Sequence, residues 1–107
     1  SVLEVVGSTF DGDVIKSDRG VLLLTYKPWC GFSKQLQPVF GELGRRLGRD
    51  NPLVRVARID VESNDCPPKV QMDTDAVPRI YFFRRGNETL PDEYIDDETR
   101  TAEGGLG

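Results

Sequence analysis

The sequence contains no histidine and only two cysteines, Cys30 and Cys66, among its 107 residues. The absence of histidine removes the commonest general base and the commonest zinc ligand, so a catalytic cysteine–histidine pair within this chain is excluded. Two cysteines are also too few to staple a small secreted fold with disulfides. Stability must therefore come from an apolar core, and any chemistry must use sulfur, carboxylates or the backbone.

Long apolar runs and a strong excess of one charge are also missing. The longest apolar run, residues 21–24, is far too short to cross a bilayer. Fourteen Lys and Arg against eighteen Asp and Glu give a net charge of −4, which is a poor balance for nucleic-acid binding. We expect one compact, monomeric domain over residues 1–107, either a mature chain or a domain excised from a multidomain protein, with no nucleic-acid partner and no membrane span.

The most apolar part of the chain leads directly to one of the two cysteines. Residues 21–26 predict a strand that is buried on both faces of a sheet. An amphipathic helix to about Leu47 is predicted after Cys30 from apolar residues at spacings of three and four: Leu36, Val39, Phe40, Leu43 and Leu47. Cys30 then lies beside the unpaired N–H groups and the positive dipole end of this helix. Both favour a thiolate, so Cys30 is the candidate nucleophile, although a lone cysteine is more commonly structural.

The turn over residues 27–34, Lys-Pro-Trp-Cys-Gly-Phe-Ser-Lys, resembles the active-site turn of the thioredoxin superfamily, and especially that of protein disulfide isomerase domains. That family usually has Trp-Cys-Gly-His-Cys-Lys, so Phe32 and Ser33 replace its His and its second Cys. The resemblance implies an α/β thioredoxin fold, with a central mixed β-sheet flanked by helices in the order β-α-β-α-β-α-β-β. Its C-terminal helix is expected to be short or truncated, because residues 102–107 are glycine-rich.

The single thiol of this motif limits the chemistry that the resemblance implies. Ser33 follows Cys30 by three residues on the same face of the helical turn, where its hydroxyl can hydrogen-bond a thiolate but cannot form a disulfide. Net dithiol oxidation is thereby excluded, which leaves isomerisation or retention of a client as a mixed disulfide. Phe32 cannot supply the positive charge of a histidine, so we expect a less acidic thiol than in the family. Ser33 is either natural or an engineered replacement of cysteine.

Substrate contacts are expected on both sides of the sulfur. Val77-Pro78 resembles the cis-proline loop that lies across from the active-site cysteine and presents its backbone to an extended substrate segment. Trp29, Gly31 and Phe32 surround the sulfur in sequence, and the two aromatic residues would form an apolar rim for unfolded clients.

Four other residues carry weaker predictions. Arg100 is compared with the arginine that modulates the active-site thiol in disulfide isomerases, although its spacing is off by two residues. Cys66 is expected to be structural, within a short helix over residues 64–72 that is entered through prolines. Leu24 replaces the buried acid that relays protons in the family, so this relay should be absent. Arg79, at the start of a strand, is expected to be a solvated charge.

Three functions remain open. The first is isomerase-like exchange on client proteins with cysteines or disulfides, without a cofactor, in the endoplasmic reticulum lumen or secretory pathway, as the resemblance implies. The second is a monothiol glutaredoxin, because Cys-Gly-Phe-Ser is also the motif with which those proteins bind glutathione and an iron–sulfur cluster. Against it stand Trp29 and the lack of a Gly-Gly-x-Asp segment after Pro78. The third is a module that binds clients without catalysis.

Overall fold

A computed structural model of the chain describes residues 2–86 and 89–94. Its elements are β1 (Leu3–Val5), a π-helical turn (Asp11–Ile15), β2 (Gly20–Tyr26), α1 (Gly31–Asp50), β3 (Val54–Asp60), β4 (Arg79–Phe83) and β5 (Asp92–Tyr94). The strands form one sheet in the order β1-β3-β2-β4-β5. The pairs β1–β3 and β2–β3 are parallel, whereas β2–β4 and β4–β5 are antiparallel. This is the mixed α/β sheet that the resemblance implied.

Strand β2 occupies the centre of the sheet because its apolar side chains fill both faces, as the continuous run predicted. Leu23 lies in the larger apolar cluster with Phe10 and Phe83, whose rings pack edge to face at 6.0 Å. Leu24 points to the other face, where it packs with Phe40 of α1. Burial of each such side chain contributes about 1.5–3 kcal/mol, so β2 is the strand that the core fixes most firmly.

Helix α1 begins at Gly31 and continues to Asp50, three residues beyond the predicted end and without a break at Pro38. It approaches the sheet closely at Gly44, where a Cβ atom would lie 2.9 Å from Cγ2 of Val2 and 3.3 Å from Cβ of Val56. A larger residue at this contact would therefore have to displace Val2 or the helix itself. Within residues 2–86 and 89–94, no helix is both long enough and apolar enough to span a membrane.

The helix predicted over residues 64–72 is wrong, because this segment is an irregular loop. Pro67 and Pro68 have no N–H group to donate, and a single turn forms, in which the Val70 N–H donates to the Pro67 carbonyl at 3.0 Å. Asn64 is tied elsewhere, since its side-chain oxygen accepts the Gly7 N–H at 3.0 Å. The segment is held by these contacts rather than by helical bonds.

The connections around the sheet are short or irregular. Residues 11–15 form a single π-helical turn between β1 and β2. Gly86 follows β4, which pairs with the antiparallel strand β5, and its φ is +90°, a conformation that glycine adopts readily. The predicted C-terminal helix and Arg100 lie outside the described residues.

Candidate functional site

Strand β2 delivers Cys30 to the start of α1 through one tight turn. The turn is closed by the Cys30 N–H, which donates to the Lys27 carbonyl at 3.0 Å. Cys30 is the N-cap residue, with φ −76° and ψ 124°, and its carbonyl accepts the Lys34 N–H at 3.0 Å. This extended conformation places the side chain beside the free N–H groups of the first helical turn, as the sequence predicted.

Ser33 is completely buried behind the sulfur, and its hydroxyl oxygen accepts the Lys27 N–H at 3.3 Å. The backbone N–H of Ser33 is the main influence that lowers the pKa of the Cys30 thiol below its ordinary value. The Ser33 hydroxyl, the Phe32 N–H and the positive charge of Lys27 lower this pKa further, while burial opposes them. The site therefore favours a thiolate by means of hydrogen bonds, without a histidine.

The loop that ends in Pro78 faces the sulfur from the other side. The Val77–Pro78 peptide bond is cis, as the resemblance implied. The thiol of Cys30 donates a weak hydrogen bond to the Val77 carbonyl oxygen, with an S···O distance of 3.9 Å. Residues 47 positions apart in the chain thus meet at one end of the sheet.

Apolar side chains surround this end of the molecule. Trp29 is 64% exposed and Phe32 is 70% exposed, although both are large aromatic residues. Val39, seven residues after Phe32 and hence on the same face of α1, is exposed as well. A Cβ atom added at Gly31 would meet nothing within 4 Å, so the surface next to the sulfur is open. The structure places the predicted rim beside the cysteine.

Arg79 is held by several partners, in contrast to the solvated charge that the sequence predicts. Its guanidinium donates to the Ala76 carbonyl at 3.1 Å and to Glu93 at 2.6 Å, and it lies 3.6 Å from Asp73. These contacts tie the loop before Pro78 to strand β5. Arg79 thus has a structural role, and two carboxylates compensate its charge.

Cys66 is far less suited to chemistry than Cys30. It packs against the larger apolar cluster, on the face of the sheet opposite to α1. Burial raises the pKa of its thiol, and the nearby Asp65 carboxylate raises it further. Cys66 also lines an open groove with Val61 and Met72. These features agree with the predicted structural role.

Leu24 is fully buried and lies opposite Arg58 of β3 in the sheet register. Arg58 turns instead to Glu4 of β1, at 2.6 Å, and to the Gln37 side chain of α1, at 2.9 Å. The Tyr26 hydroxyl also donates to Glu4 at 2.8 Å, and burial raises the pKa of Tyr26 to about 12. Leu24 occupies the position where the family has its proton-relay acid. Arg58, opposite this position, connects β3 to β1 and α1.

Lys27 is the residue of this site that the sequence patterns did not single out. Its backbone closes the turn and binds Ser33, and its side-chain nitrogen lies 5.7 Å from the centroid of the Trp29 ring. A signal was present in the sequence: a lysine three residues before the cysteine, at the point where an apolar strand ends, must share the turn with the sulfur.

The sequence profile of the family described as Thioredoxin matches residues 1–102, which is nearly the whole chain. The chain belongs to the thioredoxin family. The mixed sheet, the helix that begins after Cys30 and the cis Val77–Pro78 bond therefore form a thioredoxin fold, as the resemblance predicted.

This thioredoxin-family chain is similar to several proteins named as disulfide isomerases. It is 38% identical over 90 residues to protein disulfide-isomerase A3 of Gallus gallus, covering 84% of this chain and 17% of that protein. It is 38% identical over 87 residues to protein disulfide-isomerase A4 of Homo sapiens, covering 81% and 13%. It is 34% identical over 99 residues to protein disulfide isomerase-like 1-3 of Arabidopsis thaliana, covering 92% and 16%. The chain thus spans less than a fifth of the length of these relatives.

Proposed function

We propose that this chain carries out thiol–disulfide exchange on client proteins, of the disulfide isomerase type, through Cys30 alone. The observation that carries the proposal is the position of Cys30 as the N-cap residue of α1, where the N–H groups of the first turn and the Ser33 hydroxyl lower the pKa of its thiol. The similarity to disulfide isomerases supports the same chemistry. A thiolate is the form of cysteine that attacks disulfides.

The proposed step exchanges one disulfide for another. The Cys30 thiolate attacks one sulfur of a client disulfide, so that a bond forms between Cys30 and that sulfur while the client S–S bond breaks. The second client sulfur leaves as a thiolate and takes a proton from water. No electron is gained or lost overall, and the step requires no cofactor.

Ser33 restricts the steps after this attack. A hydroxyl cannot displace Cys30 from the mixed disulfide, so release requires a thiol from the client or from solution. A client thiol that attacks within the complex yields a rearranged client disulfide, which is isomerisation. In the absence of such a thiol the client remains attached. One cysteine is sufficient for both outcomes, whereas net oxidation of a client by this domain would require a second cysteine in the motif.

Client binding is proposed to use both sides of the sulfur. The exposed Trp29 and Phe32 rings would take apolar client residues, and Gly31 leaves room for the client chain beside Cys30. The backbone of Val77 and Pro78 would pair with an extended client segment. The partners are therefore proteins with cysteines or disulfides in partly unfolded segments.

The resemblance and the relatives favour the secretory pathway, specifically the endoplasmic reticulum lumen, as the location. Disulfides persist in such an oxidising compartment, so clients for Cys30 would be present there. Arg100 remains a predicted modulator of the thiol.

The test is a trapping experiment on the full chain. A peptide dimer joined by one intermolecular disulfide, from which the leaving strand carries its thiol away, is incubated with the wild-type chain, with Cys66→Ser and with Cys30→Ser, and adducts are located by mass spectrometry after acid quenching. We expect one peptide strand bound to Cys30 in the wild type and in Cys66→Ser, and none in Cys30→Ser. Reduction should release the peptide. Absence of an adduct on Cys30, in folded protein, would overturn the proposal.

Two further measurements separate the alternatives. A client-binding module would keep its non-covalent affinity for an unfolded peptide in Cys30→Ala and form no adduct. A monothiol glutaredoxin would instead absorb visible light as an iron–sulfur protein after reconstitution with glutathione, iron and sulfide.

A further inference from the structure

Lys27, which is half-buried, holds a positive charge that lowers the pKa of the Cys30 thiol. Its ammonium group lies 5.7 Å from the centroid of the Trp29 ring, and Trp29 directly precedes Cys30. A lysine in this position gains from a cation–π contact and is held over the ring. The charge is thus held beside an exposed aromatic side chain of the site.

No carboxylate in residues 2–86 or 89–94 forms a salt bridge with Lys27. Within this part of the chain no carboxylate compensates its charge. Arg79, the cation on the Pro78 side, differs because Glu93 and Asp73 compensate it. Among the charged side chains, Lys27 has the largest electrostatic effect on Cys30. Among the described residues, the cation on the Trp29 side of the sulfur therefore lacks a carboxylate partner, whereas the cation on the Pro78 side has two.

We propose that Lys27 makes Cys30 selective for client disulfides that carry a carboxylate close to the attacked sulfur. The inference rests on the proposed function, since it names the substrate class of the same thiol. The carboxylate of the client would lie beside the Lys27 ammonium during the attack, while the bonds that form and break remain those of the exchange step. Clients with a basic residue in this position would be disfavoured.

The expected size of the effect is set by the exposure of the site. A single charge pair near a protein surface changes a rate by about two- to fivefold, so anionic and cationic substrates should differ by about four- to twenty-five-fold. Salt must reduce this difference, because exposed charges are screened over about 10 Å at about 0.1 M ionic strength.

The test uses the full chain with Cys66→Ser, so that only Cys30 reacts. Three small disulfides serve as probes: dithiodipropionate, which is anionic, hydroxyethyl disulfide, which is neutral, and cystamine, which is cationic. The second-order rate constant of each is measured by mass spectrometry at low and high salt and divided by that of a small neutral reference thiol. This ratio removes differences in the intrinsic reactivity of the probes. Comparison of anionic and cationic probes within one variant also removes any change in thiolate fraction.

We expect Cys30 to prefer the anionic probe at low salt, and Lys27→Met or high salt to bring the preference close to one. Lys27→Arg should keep the preference, and Lys34→Met, which removes an exposed charge from the same turn, should keep most of it. An unchanged preference in Lys27→Met, or equal losses in Lys27→Met and Lys34→Met, would overturn the role of Lys27 alone. Failure of Cys30 to react with any probe would instead overturn the proposed function.

Discussion

The backbone N–H of Lys27 donates a hydrogen bond to the hydroxyl oxygen of Ser33 over 3.3 Å. This bond joins the turn before Cys30 to the helix after it. A serine hydroxyl has a single proton, and when its oxygen accepts a bond from one side the proton is directed elsewhere. Here it stabilises the Cys30 thiolate, since the hydroxyl lowers the pKa of that thiol. The backbone of Lys27 thus orients the donor that acts on the sulfur.

Replacement Ser33→Ala should therefore raise the pKa of Cys30. The variant keeps the backbone N–H at position 33, which is the main influence, and loses the hydroxyl. The measurement is the rate of alkylation of Cys30 by iodoacetamide against pH, with Ser63→Ala, a change at an exposed site, as the control. The midpoint should move to higher pH in Ser33→Ala only. Equal midpoints in both variants would show that the hydroxyl does not act on the thiolate.

The two cysteines should react in a fixed order. The pKa of Cys30 is lowered by hydrogen bonds and the pKa of Cys66 is raised by burial, so the thiolate fraction of Cys30 is the larger of the two at neutral pH. Iodoacetamide at neutral pH should label Cys30 first, and peptide mass spectrometry scores each site separately. Raising the pH should narrow the difference. Equal labelling of both cysteines under native conditions would contradict this order, and labelling in denaturant gives the unfolded reference.

Two glycines of α1 should respond in opposite ways to alanine. Gly44→Ala places a methyl group 2.9 Å from Val2 and 3.3 Å from Val56, so the helix must shift and the free energy of unfolding should fall by about 1–3 kcal/mol. Gly48→Ala meets nothing within 4 Å and should raise the free energy of unfolding by about 0.5–1 kcal/mol through helix propensity. Urea unfolding of both variants provides the comparison. A stabilising Gly44→Ala would show that the helix is not held closely to the sheet.

Leu24→Glu should destabilise the fold in a pH-dependent way. Leu24 is fully buried in an apolar cluster, and Arg58 opposite is already bound to Glu4 and Gln37. Burial should raise the pKa of the new carboxyl above its unfolded value of about 4.3. The folded state then binds the proton more tightly than the unfolded state, so stability falls as pH rises above that value.

The matched control for this position is Leu24→Gln, which is similar in size and polarity but does not titrate. Both variants should lose about 2–5 kcal/mol of unfolding free energy at about pH 5. Between about pH 5 and pH 8 only Leu24→Glu should lose more, as measured by urea unfolding at each pH. A Leu24→Glu protein that is equally stable at both pH values would indicate that Arg58 leaves Glu4 to bind the new carboxylate.

The elements fixed by apolar patterning were predictable from the sequence. The continuous run of β2 and the spacing that ends in Phe40 and Leu47 gave a buried strand and a one-sided helix, and both are present. The loop over residues 64–72 was not predictable in this way. Its conformation depends on bonds between distant residues, such as that of Asn64 to Gly7, which local patterns do not contain.

The same distinction between local patterns and distant contacts applies to the candidate site. Cys30, Ser33 and Pro78 were found because motif and resemblance mark them in the sequence. The compensation of Arg79 by Glu93 and the position of Lys27 over Trp29 depend on how loops fold back, so only the three-dimensional structure shows them. The candidate residues could thus be chosen from the sequence, whereas the charges around them could not.

Because Ser33 carries a hydroxyl and not a thiol, the proposed mixed disulfide of Cys30 would depend on outside thiols for its release. If Cys30 forms a mixed disulfide with a client that has no free thiol, no sulfur within residues 2–86 and 89–94 lies on the same face of the sheet to break it, since Cys66 packs on the opposite face. The lifetime of the complex is then inversely proportional to the concentration of reduced thiol in the surroundings. The domain would therefore retain a client for a long time under oxidising conditions and release it sooner under reducing ones.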